Sequence, residues 1–264
     1  MSMHSLCQLE VASWYVENYK NSHSRLIQKV KKEMRQQLKK VCKAYDLTVE
    51  QHEKGIDPLD GLPEQFKETH EFKEFRNYLK KSELLLSSGA PDIKGFLNPR
   101  PGMRFLDVGC CANLARYRLD QWPSSYYGVD ISPALMRTMN LFVARQKIAI
   151  GGLWVADISD LPFHNDFFDI CSVIGVFEYC TFDYIKESLA ELNRVLRPCS
   201  KIVLDIPNPG HQYVAIMRRV EEYLGRPNIL HPRLEFEKLL ANLFSIERCD
   251  ASQVMLKYFA QTIK

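Results

Sequence analysis

The stretch from Met103 to Asp130, MRFLDVGCCANLARYRLDQWPSSYYGVD, constrains the fold more than any other part of the 264-residue chain. Met103, Phe105, Leu106 and Val108 form a nearly continuous apolar run, the pattern of a parallel strand buried on both faces. Gly109 punctuates that run. The spacing then predicts a helix starting near Ala112 and a second strand, Tyr126 to Val129, closed by Asp130. These pieces make a βαβ unit, and Pro133 suits the first turn of the helix that follows.

Strand, Gly turn, helix, strand and acid are the frame of an adenosine-binding crevice. A dinucleotide site carries Gly-x-Gly-x-x-Gly, so that backbone N–H groups reach a pyrophosphate at the helix N-terminus. This loop lacks that pattern. It places Asp107 immediately before the turn, where a carboxylate repels a pyrophosphate and attracts an ammonium or a sulfonium-bearing zwitterion. Asp130, at the end of the second strand, is placed to accept hydrogen bonds from two ribose hydroxyls.

Onward from Pro133 the alternation is regular and predicts a doubly wound sheet. Helix Pro133 to Gln146 precedes strand Leu153 to Ala156. Strand Phe168 to Ile174, helix Asp183 to Leu196 and strand Lys201 to Ile206 follow. Helices around Tyr213 to Leu224 and Leu234 to Leu243 then lead to strands Ser245 to Cys249 and Val254 to Thr262. Ligands of open α/β sheets bind beyond the carboxyl ends of the strands. The segments after Ile174 and after Ile206 therefore border the reacting groups. Glu178 and Tyr179 in the first, and His211 in the second, are the candidate acid/base residues.

The order and spacing of five motifs resemble the class I S-adenosylmethionine-dependent methyltransferases. These are Leu-Asp-Val-Gly-Cys-x-x-Asn (106–113), Gly-Val-Asp-Ile-Ser (128–132), Ala-Asp-x-x-x-Leu-Pro-Phe (156–163), Phe-Asp-Ile-Cys-Ser-Val-Ile (168–174) and Leu-Asn-Arg-Val-Leu-Arg-Pro (192–198). Cys111 stands where that family usually has a second Gly, and Asn113 where it often has a third. Asn tolerates the left-handed backbone that such a turn needs. The resemblance implies a seven-stranded Rossmann-like α/β methyltransferase sheet with S-adenosyl-L-methionine as cofactor. The cofactor contacts it implies are Asp107, Gly109, Cys110, Cys111, Asp130, Ile131, Asp157, Ile158, Ile174 and Gly175. Asp157 would face the adenine amino group, and the N–H of Ile158 a ring nitrogen. Many relatives have Glu-His at positions 178–179, where this chain has Glu178-Tyr179.

Residues 1–95 read as an α-helical N-terminal extension, a lid in the resembling enzymes, and residues 96–264 as the methyltransferase domain. The extension holds an aromatic cluster (Trp14, Tyr15, Tyr19) and an amphipathic helix over residues 24–45. A second helix runs from Pro63 or Glu64 to about Leu86, and a Gly/Pro linker covers 95–102. Nine Lys or Arg against one acid between Lys20 and Lys43 allow three readings: a solvated face, a grip on a phosphorylated or nucleic-acid substrate, or a membrane-surface contact. No recognised nucleic-acid module is attached, so a small-molecule acceptor is expected. An RNA, phosphorylated or prenyl-diphosphate substrate is the alternative, and a cofactor-binding protein without turnover the third. Eight cysteines without a CxxC or a His/Cys cluster read as free thiols of a cytoplasmic protein, not as a metal site. No stretch reads as a secretory signal or a membrane span.

Overall fold

The computed structural model describes residues 33–51, 54–86 and 90–264, with the side chains of 82–86 excepted. The aromatic cluster near Trp14 and most of the basic segment lie outside them. The chain divides into two compact units, Met1–Lys39 and Lys40–Lys264. The described part of the first is helical, as is the second as far as residue 51; the helix over 33–51 is α1.

Seven strands form one sheet: β1 (Arg104–Val108), β2 (Ser125–Asp130), β3 (Gly152–Val155), β4 (Phe168–Val173), β5 (Leu196–Pro207), β6 (Phe244–Asp250) and β7 (Met255–Thr262). Their order across the sheet is β3-β2-β1-β4-β5-β7-β6. β1 to β5 are parallel, and β7 runs antiparallel to both β5 and β6. This is the doubly wound Rossmann-like sheet of the methyltransferase fold. Strand order reverses between β1 and β4, so the crevice opens at their carboxyl ends.

Burial explains the strands. Phe105 and Leu106, adjacent on β1, are both fully buried, as a central parallel strand requires. One face of the sheet carries a core that joins Phe105, Tyr126, Ile170, Val203 and Phe259 to α4 (Pro91–Leu97) and α6 (Pro133–Gln146). On the other face Phe236 of α9 (Arg233–Ala241) packs on Tyr258, with ring centroids 5.3 Å apart. A satellite core joins α2 (Glu64–Lys67) and α3 (His70–Leu86) to α8 (Val214–Tyr223) through Phe66, Phe72, Phe75, Ile216 and Val220.

Four local expectations are corrected. The helix expected over 64–86 is two helices, because the Thr69 side chain accepts from Phe72 N (3.3 Å) and so starts α3 afresh. The expected linker is partly helix α4: Pro91 opens it, Asn98 ends it in the left-handed region, and Ile93 and Leu97 are buried. The helix after the Gly turn is one turn only, α5 (Asn113–Arg116), since Arg118 is left-handed and Leu119 and Trp122 turn into the core. β5 begins five residues before Lys201, with Leu196 paired to Phe168 ahead of a register break. α7 (Phe182–Val195) precedes it directly.

Leu97→Ala should lower stability by about 2–5 kcal/mol in urea unfolding, the cost of a cavity under a core helix. A loss below about 0.5 kcal/mol would return this segment to the status of a linker.

Candidate active site

The turn after β1 is built from backbone need. Gly109 has φ +67°, and an added Cβ would stand 2.3 Å from Cγ2 of Val176. Only glycine meets both conditions without strain. Cys111 is also left-handed (φ +40°). Its N–H donates to Oδ2 of Asp130 at 3.0 Å, which fixes the loop on the end of β2. Sequence reasoning assigned tolerance of the left-handed region to Asn113. Asn113 is instead the first residue of α5, and its side chain donates to Asp107.

Asp107, 1% exposed, accepts from Ser172 Oγ (2.6 Å), Tyr126 OH (2.9 Å) and Asn113 Nδ2 (3.2 Å). Burial pushes its carboxyl up to about 6 against the pull of these donors. Asp130 accepts from Ser132 N (2.9 Å) on Oδ1 and from Cys111 N on Oδ2. Each carboxylate oxygen has a further lone pair. Burial raises Asp130 as well. Ser132 caps α6, accepting from Leu135 N, and donates its hydroxyl to Asp46 of α1 at 2.6 Å. At the end of β3, Asp157 accepts from Ser159 N and Oγ and from the hydroxyl of Tyr184, and Ile158 is buried beside it. Ile131 is half-buried, next to Asp130.

Beyond β4, Ile174 packs on the main core and Gly175 takes φ +71°. Gly175 N donates to Asp205 Oδ1 at 2.8 Å, and an added Cβ there meets no atom within 4 Å. Asp205 is buried at the end of β5 and is also pushed up to about 6. Glu178 and Tyr179 lie in a 3-10 turn and are both buried. Burial first, then the charges of Asp205 and Glu221, push Glu178 up to about 8. The Tyr179 hydroxyl donates to Glu221 Oε2 (3.1 Å) and lies 2.9 Å from that of Tyr45. Arg226 pairs with Glu221 (Nε to Oε2 2.9 Å) and stands 4.3 Å from the Tyr45 ring centre.

The structure thus brings Asp107, Gly109, Cys110, Cys111, Asp130, Gly175, Glu178 and Tyr179 to one end of the sheet. His211 stands apart. Its Nδ1 accepts from Tyr213 N at 3.2 Å, and its ring packs between Tyr78 and Tyr213. Burial lowers its pKa. Sequence reasoning missed Tyr45, Asp205, Glu221 and Arg226. Three of them carried a signal. Glu221 shares the helical stripe of Met217, Val220 and Leu224, Tyr45 that of Val41 and Val49, and Asp205 interrupts an apolar strand. Nothing in Leu-Gly-Arg-Pro marks Arg226 as buried.

Among the described residues no group of His, Cys, Asp and Glu is placed to hold a metal ion, and no helix is long and apolar enough to cross a membrane.

Residues 106–204 match the sequence profile of a family described as a methyltransferase domain. Several solved structures share the fold. A geranyl diphosphate C-methyltransferase from Streptomyces coelicolor A3(2), solved with S-adenosyl-L-homocysteine, is 16% identical over 76% of this chain and 86% of its own, with a TM-score of 0.57. A Pyrococcus horikoshii OT3 protein is 17% identical over 77% of this chain and 100% of its own (TM-score 0.55). An S-adenosylmethionine-dependent methyltransferase from Methanosarcina mazei is 18% identical over 66% and 97% (TM-score 0.52). A sequence search of curated proteins finds no match. The profile match runs from β1 into β5, and the likeness to the solved structures shows that this sheet has the methyltransferase fold.

Replacing Asp205 by Asn tests the electrostatics of this end of the sheet. Asn keeps an oxygen for Gly175 N and removes a buried charge. A carboxyl whose folded pKa is raised lends stability below its unfolded pKa, near 4, and loses it as pH climbs through about 6. The variant should therefore match the wild type near pH 4 and exceed it by up to about 3 kcal/mol above pH 6.5. Urea unfolding at both pH values checks this, and a variant less stable at pH 7 would contradict it.

Proposed function

We propose that this protein transfers the methyl group of S-adenosylmethionine to a small-molecule acceptor whose nucleophilic atom carries a proton, an amine or a hydroxyl. The observation that carries the reading is Glu178. It is a carboxyl only 9% exposed, just past the end of β4, surrounded by more negative than positive charge. A base whose pKa lies near working pH is well matched to proton removal.

The residues present fit the cofactor. Asp107, Asp130 and Asp205 make this end of the sheet anionic, which favours a sulfonium and opposes a pyrophosphate. The positive-φ turn at Gly109 lets the chain bend sharply around a ligand, and the side of Gly175 is open. In this reading Asp130 takes the ribose hydroxyls on its remaining lone pairs. Gly109, Cys110 and Cys111 line the amino-acid portion, Asp157, Ile158 and Ile131 hold adenine, and Ile174 and Gly175 border the sulfur. Asp107 acts by its charge, since its hydrogen bonds are spent inside the protein. When bound, the cofactor supplies an electrophilic methyl carbon. The protein's part is to hold the acceptor in line, exclude water and let Glu178 take the proton. Tyr179 lines the acceptor side. His211, packed in its aromatic cluster, has no step in this reading.

The segment around Tyr45 and Asp46 serves as a cover: Asp46 bonds at the β2 side of the crevice and Tyr45 at the β4 side. Free thiols at the seven described cysteines support a reducing compartment, the cytoplasm.

Calorimetry with S-adenosylhomocysteine tests the cofactor site. Asp130→Ala should weaken binding by about 1–3 kcal/mol through lost charge-assisted bonds, and unchanged affinity would remove Asp130 from the site. Methyl transfer to a panel of amines and phenols tests the chemistry. The rate should rise with pH up to about 8, because the carboxylate is the active form. Glu178→Gln should lose about 100-fold or more in kcat together with that limb. A variant that keeps both would exclude Glu178 as the base.

A further inference from the structure

We propose that Arg226 and Glu221 are a positioning pair for Glu178: Glu221 holds the guanidinium on itself and so keeps the neighbouring cation from closing an ion pair with Glu178. This rests on Glu178 being the proton acceptor.

The geometry assigns each member a place. Arg226 follows Gly225, a left-handed residue (φ +75°) just past the end of α8, and its N–H donates to Glu221 O at 2.8 Å. The backbone is thereby tied to the last turn of α8. The side chain then turns back on Glu221, with Nη2 to Oε1 at 3.1 Å and Nε to Oε2 at 2.9 Å. One hydrogen bond, from Nη2, and the close approach of Nε, which has no hydrogen bond of its own, hold the guanidinium against this carboxylate. Its face stands over the Tyr45 ring at 4.3 Å. The Tyr179 hydroxyl also donates to Glu221 and lies 2.9 Å from the Tyr45 hydroxyl. Arg226 and Tyr179 are both oriented through one carboxylate.

Glu178 sits at the edge of this network and touches it through Tyr179. Its backbone carbonyl is held by Ile229 N at 2.6 Å, three residues past Arg226. The groups acting on its carboxyl are Asp205 from β5, Glu221 from α8, Tyr179 from its own turn and Arg226 from the α8–α9 connection. Tyr45 of α1 and the Cys180 thiol face it as well. The cation among them is Arg226, already committed. A buried carboxyl with no cation of its own keeps its affinity for a proton. Were Arg226 released, Glu178 would become a paired carboxylate and a poor base.

Titration of the full-length protein carrying 13C-carboxyl-labelled glutamate, followed by NMR with the Glu178 signal identified from Glu178→Gln, tests this without needing an acceptor. Glu221→Gln frees Arg226 and should move the Glu178 midpoint down by about one pH unit or more. Arg226→Gln removes the attraction and should move it up. Glu221→Asp, which keeps the charge and loosens the contact, should also move it down, at smaller amplitude, and serves if the amides do not fold; a pure charge effect without positioning would leave it unmoved. Opposite shifts support the pair. Shifts in one direction, or none in folded variants, overturn it. Homocysteine-nucleoside binding is scored separately: opposite shifts without binding would sink the methyltransferase reading and leave the pair, and binding with parallel shifts would do the reverse.

Discussion

The Asp107 carboxylate is the contact on which the rest of the site depends. It stands at the point where strand order reverses, and its three donors come from β2, β4 and α5. Withdrawing a carboxylate from water costs several kcal/mol unless its lone pairs are met. Here they are met by two hydroxyls and an amide. The residual cost shows as a raised pKa. That cost is offset by definition: the three elements bordering the crevice are pinned to one another at the atom where the turn begins. Asp130 repeats the device one strand over, using backbone N–H groups of Cys111 and Ser132.

The parallel register sets the charge pattern. Asp107, Asp130 and Asp205 all fall on the same face of the sheet, since Asp107 pairs with Gly128 and Ser172, and Ser172 with Val203. Three buried acids stand near three strand ends, a pattern of charge that attracts cations where the carboxyls are ionised. The cations nearby are committed elsewhere. Lys257 pairs with Asp92 at 2.6 Å, and Arg226 with Glu221. Stability is forgone at this end of the molecule in return for a preorganised negative potential, the arrangement expected where charge develops in a reaction.

Much of this was legible beforehand because strand periodicity and turn chemistry are local. The apolar run ending at Val108, the stretch Tyr126 to Val129 closed by Asp130, and the alternation after Pro133 located the seven strands, and α6 kept its expected bounds. What escaped depended on tertiary contact. Pro91 reads as a helix stop or a helix start with equal ease, and only the burial of Ile93 and Leu97 decides it. Thr69 splits a helix by a side-chain cap that competes with propensity. In the site, Asp107, Asp130 and Asp157 announced themselves as acids at strand ends, whereas Asp205 passed as a break in an apolar strand, and Arg226 gave no sign because its burial depends on Tyr45 arriving from a distant segment.

A structure of the protein with S-adenosylhomocysteine would test the central claim most directly. The account predicts both ribose hydroxyls within hydrogen-bonding distance of Asp130 and the sulfur beside Gly175, facing Glu178. A nucleoside held away from Asp130, or a sulfur turned away from Glu178, would contradict it.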